Sequence, residues 1–149
     1  MKCQIRKNVF ETNSSSVHSL VIAKEGREKS ELRVNADGEI EVEFGSFGTN
    51  FELFFSQDEK LSYLITCCYY LTREWDIEAI YENWNFRQIE DVICKYTGAK
   101  RIKILNHVDP EIDHQSIPYD GIEIINVWDE DMIIDFVFNK YVGLKTDRD

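Results

Sequence analysis

The chain has 149 residues, 43% hydrophobic and 13% aromatic, with 28 acidic against 17 basic side chains and a formal net charge of −11. That length and apolar content suit one ordinary domain spanning residues 1–149, and they exclude a disordered chain, which would lack aromatic and β-branched residues. No stretch nears the roughly 18 uncharged apolar residues of a membrane span, and the opening Met1-Lys2-Cys3-Gln4-Ile5-Arg6 has no apolar run of the secretory kind, so a cytoplasmic setting away from membranes is expected.

The charge is unevenly spread: residues 1–38 carry a balance of +2 and residues 39–149 a balance of −13. A field of that sign repels phosphates, so direct nucleic-acid binding is not expected. It favours a protein partner with a basic surface, set against the plainer use of acidic charge for solubility. Cys3, Cys67, Cys68 and Cys94 form no C-x-x-C pair, which leaves reduced, mostly buried thiols as their reading and no zinc or redox motif.

In chain order, residues 4–7 and 18–23 read as strands flanking a polar loop. Residues 24–30 read as a connecting turn or short helix. A hairpin follows: Leu32 and Val34 alternate with charges, Asp37-Gly38 supplies the turn, and residues 39–44 return with Ile40, Val42 and Phe44 facing inward. Residues 45–50 read as a loop, and 51–55 as a strand or the entry to a helix. Ser56-Gln57-Asp58-Glu59 is a capping box, and Leu61, Leu64, Ile65, Cys68 and Leu71 predict an amphipathic helix over 57–73. Asp76 opens another helical segment; residues 85–88 recap it, and it runs to Gly98 as its C′ residue. A strand over 101–106, a polar loop over 107–120, a buried strand over 121–127, a helix capped by Asp129 and a solvated tail over 145–149 complete the chain. Strands segregated from helices in this order predict an α+β fold, with a mostly antiparallel sheet packed against about three helices.

The most unusual stretch is Thr12-Asn13-Ser14-Ser15-Ser16-Val17-His18-Ser19, which follows Arg6 and Lys7 in the only region of positive balance. Short hydroxyl, amide and imidazole side chains can present donors to an anion, as phosphate nests do; equally, they can satisfy their own backbone in Asx and ST turns. The loop lacks the glycines of a Walker motif. Val9-Phe10-Glu11-Thr12-Asn13-Ser14-Ser15-Ser16-x-His18-Ser19 resembles the opening of uncharacterised small proteins from phages and mobile elements of Gram-positive bacteria, over about one tenth of the chain. The resemblance implies a bacterial cytoplasm and a phage accessory role. For a small acidic protein, that role includes antagonism of host defence, such as anti-CRISPR activity.

Three further groups carry candidate chemistry. His107, Asp109, Asp113 and His114 have the donor types of a metal site, but a surface loop is the plainer reading, and no metal or cofactor is assigned. His18 and His114 offer an acid–base pair with Asp113 orienting one ring; His114-Gln115-Ser116 fits the H-x-[ST] pattern of two-histidine phosphoesterases, whereas His18-Ser19-Leu20 does not. Glu39, Glu41 and Glu43 alternate on one strand face at a spacing of about 6.6 Å, close to that of neighbouring phosphates, and with Tyr69, Tyr70 and Trp75 they make the candidate partner surface. Homodimerisation is the alternative use of those aromatics.

The favoured function is therefore a non-enzymatic binding protein that inhibits a host factor through an acidic and aromatic surface. The alternative is a nucleotide- or phosphate-ligand protein using Arg6, Thr12, Asn13, Ser14, Ser15, Ser16, His18 and Ser19, with His114. Thermal-shift screening separates the two: an anionic ligand at 100 times its dissociation constant adds about 2.7 kcal/mol of stability. The binding-protein reading expects no shift with nucleotides or cyclic nucleotides.

Overall fold

Helix α1 (Gln57–Leu71) is the element on which the others pack. Ser56 caps it: its Oγ accepts from the Glu59 amide at 3.1 Å and donates to Glu59 Oε1 at 2.7 Å. The spacing of its apolar residues predicts one buried stripe, but the burial goes further. Gln57, Lys60, Leu61, Tyr63, Leu64, Ile65, Thr66, Cys67 and Cys68 are all buried, so the helix is covered on several sides and not on one. It touches α2 (Ile77–Glu82), α3 (Trp84–Thr97), α4 (Glu130–Phe138) and strands β3 (Glu39–Glu43) and β7 (Glu111–Ile112).

The computed structural model describes residues 4–8, 18–23, 26–47, 52–72, 76–112 and 126–146. Its remaining strands are β1 (Gln4–Asn8), β2 (His18–Ala23), β4 (Ser46–Phe47), β5 (Glu52–Phe54), β6 (Arg101–Leu105) and β8 (Gly143–Thr146). The fold is α+β. Strand pairing differs from a single mostly antiparallel sheet: β1-β2-β8-β5 form a four-stranded antiparallel sheet, while β3-β6 and β4-β7 are separate parallel pairs. Four helices stand among the described residues, with Asp76, Asn83 and Asp129 capping the last three. Asn83, and not a residue in 85–88, starts α3, and Gly98 ends it at a φ of 82°.

The hairpin expected at Asp37-Gly38 is a tight turn without two strands. Asn35 Oδ1 accepts from the amides of Asp37 and Glu39, both at 2.9 Å, and Gly38 supplies a φ of 81°. Only Val34 and Ile40 then pair across it. The incoming segment is held instead by Gln57, whose Oε1 accepts from the Glu31 amide at 2.6 Å and whose Nε2 donates to the Lys29 carbonyl at 3.0 Å. The other edge of β3 takes β6 as a parallel neighbour.

Two further expectations change. Residues 145 and 146 are not a solvated tail: β8 is an inner strand, with Ser19 and Leu53 both opposite Lys145. Asn126, Val127 and Trp128 form a turn and not the end of a strand, and residues 121–125 lie outside the described residues.

One buried cluster joins these elements. Phe47 meets Phe54 and Tyr63 edge to face with ring centroids 5.2 and 5.1 Å apart, and Tyr96 stacks on Phe138 at 4.1 Å. Cys67, Cys68 and Cys94 are unbridged, and burial pushes the Cys68 thiol up to about 12, which keeps it protonated. Lys60 is fully buried within this core. Its Nζ donates to the carbonyls of Asn139 and Val142, each at 3.0 Å, and so ties α1 to the turn between α4 and β8.

Burial outweighs the nearby Glu28 charge and lowers the Lys60 ammonium from 10.5 to about 8. Between those values the unfolded chain binds more protons than the folded one, so stability rises with pH across that window. The stability of the parent relative to Lys60→Met should therefore grow by as much as about 3 kcal/mol between pH 8 and 10.5, read by urea unfolding. A gap that stays flat would refute the buried ammonium.

Candidate functional site

Strand β3 alternates as its sequence predicts on the inner face: Ile40, Val42 and Phe44 are 2%, 5% and 2% exposed. The outer face does not present three free carboxylates. The parallel register sets Glu39 opposite Arg101 and Glu41 opposite Lys103. Glu39 is itself buried, accepts from Arg101 Nε and forms an ion pair with its guanidinium. Burial pushes the Glu39 carboxyl up, but hydrogen bonds from Asn35 and Arg101, with the charges of Arg101 and Lys103, hold it below the usual carboxylate range. The expected phosphate-like row is thus broken at its first member, because β6 brings cations alongside.

The other two acids remain on a cavity. Glu41 is exposed and Glu43 half-buried, and both line a groove of about 420 Å³ enclosed by β3, β4, β5 and α1. Its apolar surface comes from Val42, Phe47, Phe54 and Leu61. Asp58 and Glu59, from the first turn of α1, bring its carboxyl groups to four, with no Lys or Arg among the described lining residues. A smaller recess of about 230 Å³ shares Glu41 and Asp58 and is lined also by Arg33.

Hydrogen bonds from α1 hold the groove wall. Ser62 Oγ donates to the Glu43 carbonyl at 2.6 Å, and Thr66 Oγ1 accepts from the Gly45 amide at 3.0 Å. Gly45 is required at that place, since a Cβ there would lie 2.5 Å from the Phe47 ring. Glu43 Oε1 pairs with His107 Nδ1 at 2.9 Å. Its Oε2 is shielded from solvent and has no hydrogen-bond partner among the described residues.

The aromatic half of the expected surface is placed differently. Tyr69 packs edge to face on Phe44 at 5.3 Å, and Tyr70 Oη donates to the Pro110 carbonyl at 3.2 Å while accepting from the Ile112 amide at 3.3 Å. Tyr69 thus serves the core beside Phe44, and Tyr70 holds the start of β7. Trp84, at the first position of α3, is the most exposed aromatic among the described residues at 74%. Trp75 lies outside the described residues.

Thr12, Asn13, Ser14, Ser15, Ser16, Asp113 and His114 also lie outside the described residues. Arg6 sits on β1 opposite Val21, and His18 and Ser19 sit on β2 opposite Thr146 and Lys145; only their backbone is described. His107 reaches Glu43 and Asp109 is exposed. No group of three or more His, Cys, Asp or Glu among the described residues is arranged to hold a metal ion.

Sequence reasoning missed Asp58, Glu59, Ser62 and Thr66 as site-builders. Asp58 and Glu59 read as part of the capping box that opens the helix. The available signal was Ser62 and Thr66, two small hydroxyl residues four apart within an apolar helical stretch. Compared with family models, curated proteins and solved structures, the chain matches none.

The Glu39 pairing gives an acid-side test. A carboxyl held below its ordinary 4.5 contributes stability above that value and loses it as pH falls through the folded-state value. The stability gap between the parent and Glu39→Gln should be open at neutral pH and close below about pH 4, by urea unfolding at stepped pH. A pH-independent gap would mean that the carboxylate charge plays no part.

Proposed function

We propose that the chain is a phage-type accessory protein that binds a host factor, a defence protein such as a CRISPR effector, by seating a basic segment of it in the groove between β3 and α1. The observation that carries this reading is the groove itself: four carboxyl groups around an apolar lining, with no described cation among the lining residues. Its volume falls among those of cavities that accept ligands or side-chain anchors. Rim carboxylates speed the encounter with a basic surface, and buried apolar contacts slow its dissociation. A bacterial cytoplasm is the matching location, and no described helix is long and apolar enough to cross a membrane.

Glu41 and Asp58 are both exposed and shared by the groove and its neighbouring recess, so reversing them changes the rim with little effect on packing. In bacteria whose CRISPR or other interference systems restrict an infecting phage, expression of the chain should restore plating against at least one system. The double variant Glu41→Lys and Asp58→Lys should lose that protection by on the order of tenfold or more, while Glu111→Lys, outside the groove, keeps it. No protection across the systems, or full protection by the double variant, would overturn the proposal.

A further inference from the structure

We draw no further inference here: the strongest candidate, the outer edge of β5 at the end of the four-stranded sheet, where Leu53 and the adjoining Phe55 are exposed, carries nothing because nothing among the described residues shows what covers it.

Discussion

The structure depends on a buried helix whose polar side chains serve the backbone of other segments. Lys60 donates to the carbonyls of Asn139 and Val142, Gln57 holds the Lys29 carbonyl and the Glu31 amide, Ser62 reaches the Glu43 carbonyl and Thr66 the Gly45 amide. Irregular chain packed against a core needs partners for its own amides and carbonyls, and every partner left out costs free energy. Here the central helix supplies them, at the cost of desolvating an ammonium. The short strands follow from this: segments already satisfied by α1 have less need of long ladders, and β4 and β7 pair over two residues each.

Ion pairs elsewhere in the fold decide which acids stay available. Asp91 pairs with Lys95 along α3, and Arg27 bridges Asp131 and Asp135 on α4, tying the segment before the Asn35 turn to the last helix. Arg101 takes Glu39. The group at the start of α1 and on β3 lines a groove whose described lining includes no Lys or Arg and whose floor is apolar, although His107 pairs with Glu43 and Lys103 lies opposite Glu41. An excess of negative charge spread over a whole chain says little about a partner. Concentrated on a preformed apolar groove, it has a direction and a shape.

Much of the helical architecture was legible in the residues. Ser56 with Glu59, Asp76, Gly98 and Asp129 each act over less than two turns, so a capping signal survives whatever the rest of the chain does. The inward alternation of Ile40, Val42 and Phe44 was legible for the same local reason. Strand β8 was not, since Gly143 and Lys145 are poor strand signals and its order comes from pairing on both edges. Nor was the burial of Lys60, a residue whose ordinary place is in water.

Sequence alone determined the class of the fold, the helix boundaries to within a few residues, the inner face of β3 and the acidic bias after residue 38. These depend on neighbours a few positions apart. Tertiary structure alone decided that β3 would lie beside β6, that Glu39 would meet Arg101 62 residues away, and that Asp58 and Glu59 would face Glu41 and Glu43 across an apolar floor. Such meetings are chosen by the burial and hydrogen bonding of the whole chain, and no local pattern carries them.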